Sequence, residues 1–162
     1  MNDLSTDVDR LLELLEAEER LYAELRTALQ AEQSCLVNLE ADGLDEAVRQ
    51  KETLVTEARV LEEGRRALVT RLGAAAGAPD ARTLTALCDA LGPQSAPLRD
   101  AQLRLRGLVA AVRELLDVNA SFAGEAMGQV QATLTLLGRL APLDATYRPD
   151  GAGSSSSGRI LR

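Results

Sequence analysis

The feature that most constrains this chain is a seam of alternating four- and three-residue steps near its start. Positions 4, 8, 11, 15, 18, 22, 25, 29, 32, 36 and 39 hold Leu, Val, Leu, Leu, Glu, Tyr, Leu, Leu, Glu, Leu and Leu. A period of 3.5 is what helices need when they pack side by side over a long distance. Leu12, Leu14 and Leu21 widen the seam, so it predicts more than one neighbour. Thr6-x-x-Asp9 is a candidate start cap, and Asp42-Gly43 a candidate stop, since glycine accepts the left-handed geometry that closes helices.

The rest of the chain repeats the theme. A second helix is expected over Leu44–Leu72, where Leu54, Leu61 and Leu68 recur every seven residues, and the short break predicts an antiparallel hairpin. Residues 73–79 read as a linker and Asp80–Leu91 as a short third helix that Gly92-Pro93 stops. A fourth helix is expected from a capping Ser95 and Pro97 to Ala141. Its face runs through Leu98, Ala101, Leu105, Leu108, Val112 and Leu115, continuing in step to Asn119, Phe122 and Ala126. Thirty leucines against three aromatic residues, with residues 1–78 and 98–141 free of proline, leave all-α as the fold class. The expected architecture is an elongated antiparallel bundle of three long helices and one short helix over residues 1–141. Residues 142–162, rich in Gly and Ser, read as a mobile, disordered tail.

The three long helices should span about 60, 40 and 65 Å at the helical rise. The second is too short to cover the other two, so part of an apolar face is expected to lack an internal partner.

Charge narrows the partners. Residues 1–42 carry 11 acidic and 3 basic side chains, and the later segments are nearly balanced, for a net charge of −7. Nucleic-acid binders need a basic excess to neutralise phosphates. Nucleic acid is therefore not expected as a partner, and neither is anionic lipid. No stretch approaches the roughly 18 apolar residues of a membrane span. The start of the chain lacks signal-peptide character, and Cys35 and Cys88 form no disulfide framework, so a cytoplasmic protein with reduced thiols is expected.

No chemistry emerges. There is no histidine, so the commonest general base and metal ligand is missing. Neither cysteine has a second one nearby, and Glu13, Glu16, Glu18 and Glu19 read as a solvated helix face. Glu18 and Glu32 nevertheless fall on the seam, where they either fix register or line an open groove. No catalytic, metal or cofactor site is expected.

Function is better sought late in the fourth helix. Phe122, Ala126, Val130, Leu134, Leu137 and Ala141 share an arc of about 120°, widened by Ala120, Ala123 and Met127. Small residues with one Met and one Phe make an adaptable surface for another helix. The other reading is core packed on the first helix, with Gly124, Gly128 and Gly138 allowing close approach.

Taken end to end, residues 8–151 resemble the FlgN-type flagellar export chaperones. The resemblance is carried by Leu11-Leu12-Glu13-Leu14-Leu15, by Tyr22-Ala-Glu-Leu25 and by Lys51-Glu52-x-Leu54. It continues in Leu61-Glu62-x-x-Arg65-Arg66-x-Leu68, Leu115-Leu116-Asp117-Val118-Asn119 and Thr146-Tyr147-Arg148-Pro149-Asp150-Gly151. It implies a cytoplasmic chaperone that binds the terminal amphipathic helices of hook-associated proteins, prevents their premature polymerisation and delivers them to the export gate. The candidate client contacts are Phe122, Ala126, Met127, Val130, Leu134 and Leu137, and the candidate gate-docking residue is Tyr147, which could equally pack on the bundle end. Where the family often has paired asparagines, Leu116 takes the earlier place beside Asn119. The alternatives are a structural coiled coil that self-associates, or a chaperone of a related secretion system with other clients. A homo-oligomer in the absence of client is compatible with each.

Overall fold

A computed structural model of the chain describes residues 2–140, with side chains over residues 4–137. Tyr147 and the Gly/Ser tail lie outside the described residues. Four α-helices and one 3-10 turn account for the architecture, in the order α1 (Asn2–Asn38), α2 (Ala41–Ala75), α3 (Leu84–Leu91), the 3-10 turn (Gly92–Ser95) and α4 (Ala96–Leu140). No strand occurs among the described residues, so the fold is all-α. The chain divides into two compact units, residues 1–128 and 129–162.

The first unit is built on the seam. From Leu4 to Leu36 every seam position of α1 is buried or half-buried; only Leu39, beyond the helix, is exposed. α2 folds back antiparallel, as the pairs Asp7–Arg71, Glu18–Arg65 and Glu32–Lys51 require. α4 runs parallel to α1: Arg104 pairs with Glu19, and Asn119 with Glu32. The side chains close into two apolar clusters. One gathers Leu11, Leu15, Val69, Leu72, Leu84, Leu87, Cys88, Leu98 and Ala101 from all four helices; the other joins Leu21, Leu25, Leu29, Leu54, Ala58 and Val112.

Helix ends differ from the sequence expectation, each for a local reason. α1 begins at Asn2, so Thr6 lies inside the helix rather than at its start. It ends at Asn38, before Asp42-Gly43. Leu39 takes the left-handed conformation (φ 56°), and the Glu40 amide donates to the Cys35 carbonyl at 2.9 Å, closing the terminus in the manner usually given to glycine. Asp42-Gly43 instead falls in the first turn of α2. Gly43 there leaves room for Cys35, whose Sγ would have to move aside from a Cβ only 2.8 Å away.

α2 also outruns its expected end at Leu72, because the alanines that follow are strong helix formers. It closes at Gly77 (φ 74°), with the Ala78 amide donating to the Gly73 carbonyl at 2.8 Å. α2 is therefore 35 residues long against 37 for α1 and 45 for α4, so of the two helices expected to outrun it, the first is matched in length and the fourth is not. The third helix starts at Leu84 rather than Asp80, because the Thr83 hydroxyl accepts from the Ala86 amide at 3.2 Å and caps it there.

Ser95 does not cap α4 as expected. Its buried hydroxyl bonds back to the carbonyls of Cys88 (2.9 Å) and Gly92 (2.6 Å), and accepts from Arg99 Nε at 3.1 Å. This bolts the start of α4 to the end of α3.

Candidate functional site

The long face of α4 changes character along its length. Leu98, Ala101 and Val112 are buried, and Leu105, Leu108 and Leu115 half-buried, in the same alternating spacing as the α1 seam. Asn119 continues the pattern at 4 % exposure, and Phe122 and Ala126 close it, half-buried. The register set by the Arg104–Glu19 and Asn119–Glu32 pairs brings the last residue of α1, Asn38, level with about residue 125. Burial of the seam ends where its partner helix ends.

Beyond Ala126 the step of the seam meets Gln129 and Thr133, and a second run of apolar residues stands one residue further on. Met127 is 69 % exposed, and in the second unit Val130, Leu134, Leu136 and Leu137 are 56, 63, 56 and 54 % exposed. A few large apolar side chains also stand free elsewhere, such as Val60 and Leu103, but none forms a comparable run. Isolated apolar residues on a surface are ordinary, whereas a contiguous stripe marks an interaction site. Ala120 and Ala123 are exposed beside it. Gly124 and Gly128 have open space where a Cβ would stand, so within the described residues nothing packs closely against them.

Of the six residues singled out from sequence, Phe122 and Ala126 thus belong to the end of the buried seam. Met127, near the end of the first unit, is exposed, and in the second unit Val130, Leu134 and Leu137 form an exposed stripe that Leu136 extends. Leu136 escaped the sequence reading because it stands off the six-residue arc.

The polar seam positions resolve toward register. Glu18, 2 % exposed, receives Arg65 Nε on both carboxylate oxygens at 3.1 and 3.0 Å. Burial raises its pKa above the ordinary carboxylate value, and the facing Arg65 opposes that rise without cancelling it. Glu32 is held between Lys51 and Asn119, whose Nδ2 donates to Glu32 Oε2 and to the Leu29 carbonyl, both at 2.9 Å. This one layer joins α1, α2 and α4, and neither carboxylate lines a groove at the stripe. The cysteines offer no reactive centre: Cys88 is buried, which pushes its thiol pKa up, and Cys35 is half-buried against Gly43. Among the described residues no group of three or more His, Cys, Asp or Glu is placed to hold a metal ion, and no helix is long and apolar enough to cross a membrane.

The described residues define an all-α protein of long helices packed through two apolar clusters. A family profile described as FlgN protein matches residues 1–155, nearly the whole chain. The chain belongs to the FlgN family, a family of flagellar export chaperones and not of enzymes. No curated protein and no solved structure matches it.

Proposed function

We propose that the protein is a cytoplasmic chaperone that binds the terminal amphipathic helix of a hook-associated protein on the late stripe of α4. It thereby keeps the client from polymerising early and carries it to the export gate. The observation that supports this reading is the exposure of Met127, Val130, Leu134 and Leu137 in the same spacing that is buried upstream. An amphipathic helix laid along that stripe would shield its own apolar face, which is the hazardous part of such a client, while covering the chaperone's. Each good apolar anchor removed from water contributes about 1.5–3 kcal/mol, so three or four suffice for a reversible complex. Tyr147 is assigned the docking step at the gate, by family resemblance.

The test is co-purification of the full chain with the C-terminal segment of a hook-associated protein, followed by titration. Val130→Asp combined with Leu134→Asp is expected to weaken binding at least tenfold while helicity and melting temperature stay unchanged. Unaltered binding by that variant sinks the stripe as the client site. Self-pairing of the stripe is the competing use of the same surface; sedimentation of the client-free protein separates them, because a tight dimer lost in the same variant assigns the stripe to a second copy.

A further inference from the structure

A second surface lies in the first unit, away from the stripe. A cleft of about 550 Å³ opens between α2, the start of α3 and α4, with the buried core residues Leu15 and Leu84 behind it. Four arginines from three elements line it: Arg65 and Arg66 of α2, Arg82 just before α3, and Arg106 of α4; the only carboxylate among the lining residues is Glu62. In a chain of net charge −7 this is a local inversion of sign.

The arginines divide by what already holds them. Arg65 is fixed by the buried Glu18 and Arg66 by Glu62 at 2.6 Å. Arg106 donates only to a neutral hydroxyl, Thr85 Oγ1, at 3.1 Å, and Arg82 has no hydrogen bond or ion pair among the described residues. Elsewhere in the bundle Arg71, Arg99 and Arg104 each close on a carboxylate of another helix. Arg82 and Arg106 therefore present guanidinium charge to the cleft, beside hydroxyl and amide groups of Thr83, Thr85 and Gln102.

We propose that this cleft binds an acidic segment of a partner protein, one that brings carboxylates to Arg82 and Arg106. Charge complementarity selects the occupant. Guanidinium forks match carboxylates in paired geometry, and partial desolvation beside leucine strengthens such bonds relative to open water. A nucleic acid needs a basic track spanning several phosphates rather than one pocket. The volume lies in the range of about 300–1,000 Å³ typical of specific pockets, enough for a few side chains of a docked segment.

The experiment uses the full chain and a fluorescein-labelled helical peptide, about four turns long, in which glutamates flank a leucine one turn away on either side. Saturable binding is expected at low salt. It should weaken about tenfold or more between about 0.05 and 0.3 M NaCl, and weaken at least tenfold when the glutamates become glutamine. Arg82→Gln, which breaks no bond of the fold, and Arg82→Glu with Arg106→Glu are expected to lower affinity progressively at constant melting temperature. Equal affinity for the glutamine peptide, no binding at low salt, or unchanged affinity in both arginine variants overturns the proposal. So does displacement by inorganic phosphate or by a single-stranded RNA oligonucleotide as effective as by unlabelled peptide, which makes the cleft a general anion site. Val130→Asp with Leu134→Asp leaves this binding intact, so the cleft and the client stripe succeed or fail separately.

Discussion

The two halves of α4 carry the same spacing of apolar residues and meet opposite fates. From Leu98 to Ala126 the face is covered by α1 and α2; from Met127 to Leu137 it is open. The residues differ as well: in the step of the seam Ala126 is followed by Gln129 and Thr133, and Met127, Val130, Leu134 and Leu137 each stand one residue further on. The end of α1 falls at the same place: Leu39 turns the chain back about level with residue 125 of α4. A pattern of side chains specifies that a helix wants a partner, and the lengths of the other helices decide whether the molecule supplies it.

That contrast is easiest to break at its apolar positions. Leu98→Ala, at a site 1 % exposed, is expected to cost about 2–5 kcal/mol in urea unfolding. Leu134→Ala, 63 % exposed, should stay within about 0.5 kcal/mol. Comparable losses at both would mean that the late stripe is core. A smaller effect is expected at the polar seam. Asn119→Ala strips a donor from the Leu29 carbonyl and from Glu32, and should cost about 1–3 kcal/mol. The same change at the exposed Gln131 should leave the unfolding curve where it is.

The smallest effect depends on pH. Because burial raises the pKa of Glu18 in the folded chain, the folded state holds that proton more tightly than the unfolded one. The contribution favouring the fold is present below the ordinary carboxylate value and is lost as pH rises through the raised one. Glu18→Gln, which never ionises, should therefore gain in melting temperature over the parent between about pH 4 and pH 7. A gain that shrinks with rising pH would show instead that the Arg65 pair outweighs the cost of burying the charge.

The covered half of this picture was legible in the sequence. The α1 seam from Leu4 to Leu36 and the α4 seam from Leu98 to Ala126 follow directly from periodicity, since a repeating apolar stripe has one low-energy use in water. Helix ends were less legible. Asp42-Gly43 carries the chemistry of a stop, yet Leu39 accepts the left-handed turn and Gly43 serves close packing against Cys35, a contact between residues that only folding brings together. Thr83 was missed as a cap because Asp80 offered an earlier start in the same idiom.

Among the site residues, the spacing singled out Met127, Val130, Leu134 and Leu137 but left open whether they were core or surface; exposure depends on neighbours that no local pattern encodes. The arginine cleft was not visible at all. Residues 65, 66, 82 and 106 are scattered through segments whose charges nearly balance, and only the hairpin and the return of α4 gather them.

The two carboxylates of the α1 seam have a consequence for exchange. Glu18 and Glu32 stand two heptads apart, and so do their cations, Arg65 and Lys51. Sliding the hairpin by one heptad would face Glu18 with Ala58 or Leu72 and Glu32 with Leu44 or Ala58, stranding both anions in grease. The pair works as a vernier with a single matching mark. An intruding coil without cations at that interval meets the same penalty, so the interior of the hairpin is closed to strangers.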